Sequence, residues 1–240
     1  SLLGRVIENV EHQEFSSAMR QSLLTPLGMG NSSFLLTPEI ERRYARAYRN
    51  GKETTRLSLR DMPAGGMLSS VNDMSRWLRF IFADGSAQGA QLVKPETLHE
   101  MFKPQFEGLD LDFGHKIGIA WMLSGLSVAG GQPLAWHNGG FPPYQAHLSL
   151  LLEQKLGVII LTNSDEASQF ITQLGTRVLE LAYETKVGAP PAHDSTKRAP
   201  DPVQVSRDKL ARYAGYYAMF NGQLGSIAVD GDQLKTSLFD

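Results

Sequence analysis

The chain has no cysteine. That absence excludes a disulfide framework, a thiolate nucleophile and cysteine-ligated zinc, while leaving the redox compartment open. It also lacks an excess of either charge: 23 Lys and Arg against 25 Asp and Glu leave a formal net charge of −2 over 240 residues. Binders of nucleic acid or of membrane surfaces ordinarily carry a basic excess, so neither is an expected partner. Neither end shows an initiating Met, a basic-then-apolar leader or a sorting motif. Charge is missing locally as well, with no Asp, Glu, Lys or Arg from Ile117 to Leu152. Gly, Pro, Gln and Asn interrupt that run, whereas a membrane span needs ~20 predominantly apolar residues. A sheet core is the better reading, and no membrane span is expected.

What is present suits a globular protein of one or two domains: 42% hydrophobic and 20% charged residues, with no internal repeat. Leu2, Leu3, Val6, Ile7 and Val10 follow the spacing of one apolar helix face, so the chain opens inside a helix ending near residue 10 or 12. That opening reads as a processed or truncated chain. A second helix around Phe15, Met19 and Leu23 runs into Pro26-Leu27-Gly28-Met29, which forces a turn. Residues 30–60 are expected to wander over the surface, with Tyr44, Tyr48, Arg42, Arg43 and Arg46 on a solvated charged face.

Pro63-Ala64-Gly65-Gly66 reads as a tight loop. Ser70-Val71-Asn72-Asp73 is an S-x-x-D cap opening a helix that buries Met74, Trp77, Leu78 and Ile81 and stops at Asp84-Gly85. Pro95 starts a short helix carrying Leu98, Met101 and Phe102 inward. Strands are expected near 117–123, 133–139, 145–152 and 156–162, and continuous Val158-Ile159-Ile160-Leu161 suggests a strand covered on both faces. Ser164-Asp165-Glu166 then caps a long helix whose buried stripe is Phe170, Leu174, Val178 and Leu181. Residues 188–202 hold four of the twelve prolines and read as a linker. Beyond it, Tyr213 to Tyr217 and Asp230-Gly231-Asp232 suggest a small β-rich module over 203–240.

One short stretch concentrates chemistry. Trp136-His137-Asn138-Gly139-Gly140 closes a predicted strand, and glycines there let a ligand or another backbone approach. Free N–H groups can face a developing oxyanion, and histidine can donate or accept a proton near neutral pH. A hydrogen-bonded core histidine before a turn is the plain alternative. Other candidates weaken. His115, His137 and His147 lack metal-ligand spacing, so no metal or other cofactor is expected. Gly125-Leu126-Ser127-Val128-Ala129 lacks the last glycine of a nucleophile elbow. Ser206-Arg207-Asp208-Lys209 matches S-x-x-K, but Ser206 reads as the N-cap of a helix with Leu210 and Tyr213. Glu107, Asp110 and Asp112 read as a solvated turn rather than the acid–base pair of a carboxylate hydrolase.

In order, Ser1-Leu2-Leu3-Gly4, Pro26-Leu27-Gly28-Met29, Gly65-Gly66, Asp73-Met74-Ser75-Arg76-Trp77, His137-Asn138-Gly139-Gly140 and Leu156-Gly157-Val158-Ile159-Ile160-Leu161-Thr162-Asn163 resemble the serine β-lactamase and penicillin-binding-protein-like hydrolases. The resemblance is to the class C-type branch with its D,D-peptidase and esterase relatives, over residues 1 to about 187. It implies an α/β fold, an antiparallel sheet flanked by helices, incomplete at the N-terminus. Residues 1–187 would then be the C-terminal part of a catalytic domain. Three motifs serve that family: S-x-x-K with the nucleophile and its lysine, Y-x-N, and K-T-G or H-x-G on the sheet edge. The third is His137-Asn138-Gly139.

The resemblance implies that His137 supports the charge and hydrogen-bond network around the nucleophile, and that the Gly140 N–H forms one arm of the oxyanion hole. Gly65, Gly66, Asn138, Gly139 and Tyr144 would line the substrate. It also implies a periplasmic or secreted location and a small-molecule ester, peptide or β-lactam substrate. S-x-x-K and Y-x-N do not precede Ser1-Leu2-Leu3-Gly4, which matches sequence that ordinarily follows Y-x-N. The nucleophile is therefore expected on a segment missing from this chain, so that the chain alone is inactive; that segment is a further expected partner. Phe141-Pro142-Pro143-Tyr144 replaces the family's glycine-rich continuation and puts substrate pairing along that edge in doubt. It is the best support for the alternative, an inactive homologue that binds or regulates.

Overall fold

The computed structural model describes residues 2–57, 59–106, 108–109, 114–128, 131–188, 205–218 and 224–238, apart from the side chains at 168, 169, 218, 224 and 238. The expected linker lies almost wholly outside the described residues, as do Glu107, Asp110 and Asp112. The chain divides into two units, 1–193 and 194–240.

The first unit begins with α1 (Leu2–Glu11) and α2 (Phe15–Met19), which continues as one π-helical turn to Leu24. Gly28, in the left-handed region at φ 71°, ends this segment as the Pro-Leu-Gly signal predicts. The apolar face expected on α1 is largely in solvent: Leu2 is 83% exposed and Leu3 76%. Helical spacing marks a face without saying what covers it. Here the contact is made by Gly4, where a Cβ would lie 2.3 Å from Pro63 Cγ, and by half-buried Ile7, which packs against the core. Residues 30–60 carry more structure than expected, with α3 (Pro38–Arg43) capped by Thr37 and a hairpin of β1 (Ala47–Arg49) and β2 (Lys52–Thr54). Arg43 pairs with Glu39 and Arg46 with Glu53 on this exposed surface.

The Pro63–Gly66 stretch is helical rather than an open loop: α4 spans Met62–Gly65. Neither glycine has a positive φ; Gly66 is required because a Cβ would sit 2.8 Å from the Met62 carbonyl oxygen. In α5 (Val71–Phe82) the Ser70 hydroxyl accepts from the Asp73 N–H, as the cap signal predicts, and Leu78 and Ile81 are buried. The Asp73 carboxylate does something the motif did not indicate. It is fully buried and accepts from the Asn31 N–H at 2.7 Å, Ser32 Oγ at 2.8 Å and Arg76 Nη1 at 2.6 Å, pinning the segment after Gly28 to α5. A short hairpin, β3 (Ser86–Ala87) and β4 (Ala90–Gln91), leads to α6 (Pro95–Glu100), whose Leu98 is buried.

No strand forms over 117–123. Isolated bridges join Ile117 to Met122 and Met122 to Trp136 instead. After the small pair β5 (Ser127–Val128) and β6 (Gln132–Pro133), the chain builds one antiparallel sheet of β7 (Ala135–Phe141), β8 (Tyr144–Leu151) and β9 (Leu156–Thr162) in the order β7-β8-β9. A single 3-10 turn, Asp165–Ala167, precedes α7 (Ser168–Val187). Among the described residues the Asp165 carboxylate pairs with Arg49, at 2.7 Å, rather than with the helix start.

Helix α7 packs on one face of the sheet and α5 on the other. On the α5 side Leu148, Leu150 and Ile159 join a core with Leu78, Phe80, Ile81 and Trp121. The buried stripe of α7 is not the one expected. Ile171, Gly175 and Leu179 face the sheet, while Phe170 (62%), Leu174, Val178 and Leu181 are exposed. A Cβ on Gly175 would meet His147 Cδ2 at 2.4 Å, so this helix touches the sheet through its smallest residue. β9 is also an outer strand, and Leu161 is 39% exposed, so its apolar run is only partly covered rather than buried on both faces.

In the second unit Ser206 stands at the N-cap of α8 (Arg207–Ala211), with its carbonyl, not its hydroxyl, accepting the first bonds. Strands β10 (Gly215–Ala218), β11 (Leu224–Asp230) and β12 (Gln233–Leu238) form a three-stranded antiparallel sheet that turns at Gly231.

Candidate active site

β7 is the outer strand of its sheet and carries the His137-Asn138-Gly139-Gly140 sequence. Its register with β8 pairs His137 with Leu148, Asn138 with His147, Gly139 with Ala146 and Gly140 with Gln145. Strand alternation therefore puts His137 and Gly139 on the α5 face, and Asn138 and Gly140 on the α7 face. The His137 imidazole is exposed and makes no hydrogen bond or ion pair with another described residue.

The backbone direction follows from a neighbour. Trp136 exchanges two 2.9 Å bonds with Met122, on the side away from β8. In an antiparallel strand N–H and C=O groups alternate sides every residue. The N–H and C=O of Asn138 and Gly140 consequently point outward, along an edge that no strand of the described residues covers. Pro142 and Pro143 leave these donors intact. They form the two-residue turn beyond the last pair, Phe141 with Tyr144, so their missing N–H groups fall outside the ladder.

α4, with Gly65, packs beside β7, and the buried Gly66 follows it. Tyr144 lies at the turn. Its hydroxyl donates to the Ala45 carbonyl at 2.7 Å, and its ring meets Tyr44 edge-on at 5.2 Å, with Arg56 over Tyr44 at 5.1 Å. Burial, reinforced by Tyr44, pushes the Tyr144 phenol up to about 12. With its oxygen committed and its proton firmly held, Tyr144 offers a wall rather than a proton carrier.

Behind the strand lies a polar chain that sequence reading did not single out. Asn138 Nδ2 donates to Thr172 Oγ1 of α7 at 3.1 Å, while Asn138 Oδ1 meets His147 Nδ1 at 2.6 Å. His147 Nε2 meets Ser149 Oγ at 3.0 Å, and both His147 and Ser149 are fully buried. Burial lowers the His147 pKa from its ordinary value. The signal for it was the alternation His147-Leu148-Ser149, which puts two polar side chains on one face of a core strand.

The remaining candidates are not brought here. The exposed His115 lies near Ser124, and among the described residues no three His, Asp or Glu groups cluster as metal ligands. One formal Y-x-N, Tyr48-Arg49-Asn50, sits in the β1–β2 hairpin; Tyr48 is bonded to Asn163 at the end of β9, not to β7. No described helix is long and apolar enough to cross a membrane.

The sequence matches the Beta-lactamase family over residues 1–183. It is 25% identical over 185 residues to Protein flp of Staphylococcus aureus (strain N315), covering 74% of this chain and 35% of that one. It is 27% identical over 218 residues to Penicillin-binding protein 4 of Amycolatopsis lactamdurans, covering 86% and 55%. The chain thus spans about a third to a half of these relatives' length. The octameric penicillin-binding protein homologue from Pyrococcus abyssi shares the fold, with a TM-score of 0.61 at 23% identity over 99% of this chain and 52% of that one. So does the beta-lactamase/D-alanine carboxypeptidase from Pseudomonas syringae, with 0.60 at 19% identity over 75% and 57%.

Proposed function

Because the chain belongs to the Beta-lactamase family, we propose that it forms one wall of a serine acyl hydrolase site whose nucleophilic serine and activating lysine lie outside these 240 residues. The observation that carries this reading is an exposed His137 imidazole together with an outward-facing Gly140 N–H on the outer strand of the sheet. The serine oxygen adds to the substrate carbonyl, and its proton passes to the neighbouring base. The Gly140 N–H stabilises the oxyanion of the tetrahedral intermediate. Collapse expels the protonated leaving group and leaves an acyl-enzyme, which water then cleaves to acid and free serine. His137 supplies a hydrogen bond at that locus. The outward N–H and C=O of Asn138 suit an extended acyl chain, so the substrate class is an ester, a D-amino-acid peptide or a β-lactam. Gly65, Gly66, Gly139 and the Tyr144 ring bound the space around it.

The test is a covalent serine probe with mass spectrometry on the complete gene product. Labelling is expected at a serine encoded outside these residues. Labelling at Ser206, or ligand binding without labelling or turnover, overturns the proposal, and the second result is that of a binding homologue.

A further inference from the structure

The polar chain behind β7 is unusual for its place. A three-stranded sheet with apolar α5 and α7 contacts has no packing need for a buried histidine and serine in line with an exposed asparagine. Replacing such groups by apolar ones of similar shape can be neutral for stability. The chain nevertheless reaches an outer strand, the one that carries His137 and Gly140.

Its geometry explains what it does. Trp136, Asn138 and Gly140 direct their backbone groups outward, so the Asn138–His147 pair has no backbone bonds of its own to β8. β7 is bonded to β8 through His137 and Gly139, on either side of that gap. The side chains fill it: Asn138 Oδ1 to His147 Nδ1 at 2.6 Å, and Asn138 Nδ2 to Thr172 Oγ1 at 3.1 Å. The strand is thereby tied to β8 and to α7 at the residue between His137 and Gly139. Gly175 brings α7 close enough, since any Cβ there would strike the His147 ring.

We propose that Asn138 and His147 are positioning residues, which hold the edge strand so that the His137 side chain on one face and the Gly140 N–H on the edge keep a fixed mutual geometry. This rests on the hydrolase reading for its purpose but not for its physical content. The bonding order follows. Asn138 donates to Thr172, so its oxygen accepts; His147 therefore carries its proton on Nδ1, and Nε2 takes the Ser149 hydroxyl proton. His147 touches no reacting atom.

The experiment uses the complete gene product, with amide hydrogen exchange, imidazole nitrogen NMR and steady-state turnover of a chromogenic ester. Asn138→Ala is expected to lower protection of the His137 and Gly139 amides about 10-fold, as for loss of one net hydrogen bond, with β9 unchanged. It should lower kcat up to ~10²-fold with KM changed far less, as for a displaced reacting group. Thr172→Val should do the same more weakly. Asn138→Asp, which still accepts from His147 and can accept the Thr172 hydroxyl proton, should restore protection. In the unaltered protein the His147 ring should show a protonated Nδ1 and a bare Nε2.

Protection lost equally from all three strands, or not lost at all, overturns the positioning role, as does the opposite tautomer. Selective loss in β7 from a protein that neither takes the serine probe nor hydrolyses ester leaves positioning intact and removes the hydrolase reading.

Discussion

Two buried polar residues show how far a single side chain can differ from its sequence context. Asp73 reads as a cap partner, yet its carboxylate holds three donors from Asn31, Ser32 and Arg76. Asp73→Ala removes the acceptor of the Asn31 N–H and the partner of the Arg76 guanidinium, leaves the Ser32 hydroxyl only Ser69 Oγ, and should cost about 3 kcal/mol in urea unfolding. His147 makes the opposite kind of prediction, one about pH. Its folded pKa is lowered by burial, so the unfolded chain binds a proton that the folded one resists. Stability from this group is complete above its unfolded value, ~6.5, and is lost as pH falls from there toward the folded value. Urea midpoints measured from pH ~7 to ~5 should therefore fall less steeply for His147→Gln than for the unaltered chain.

At the scale of elements, type was easier to read than orientation. The Ser70 cap, the apolar repeat and Asp84-Gly85 specified α5, because local hydrogen bonding decides where a helix starts and stops. α7 has equally plain periodicity, but two stripes compete on it. The sheet takes the stripe of Ile171, Gly175 and Leu179, because the buried His147 ring occupies the space that a larger side chain at Gly175 would need. Leu179→Ala should cost about 2–5 kcal/mol by denaturant titration. Phe170→Ala should stay within about 0.5 kcal/mol. The reverse ranking would restore the stripe expected from sequence. The segment over 117–123 failed as a strand because it folds back on itself, Ile117 bridging Met122, and only Met122 bridges onward, to Trp136. That one bridge still matters, because it fixes which way the N–H of Gly140 points.

For the whole molecule, the proposed chemistry belongs to the first unit, where β7 lies, and Ser206 belongs to the second. In the complete gene product, His137→Ala is expected to lower kcat/KM for a chromogenic ester ~10²-fold or more, the range of a lost hydrogen bond to the reacting group. Ser206→Ala should leave labelling by a covalent serine probe unchanged. A normal rate for His137→Ala would remove the imidazole from the site.

The sequence by itself determined the family and the helix–sheet alternation and pointed to His137–Gly140 as the candidate locus, since caps, turn glycines and apolar runs act over a few neighbouring residues. It also specified the Phe141–Tyr144 turn residues without showing that they spare the edge. Only the tertiary structure decided which stripe of α7 is buried, where the Asp73 carboxylate goes, that β9 ends the sheet and that Asn138 bonds backward to His147 and Thr172. Each depends on side chains distant in sequence meeting in one volume, and no local pattern encodes which of several equally apolar surfaces will fill it.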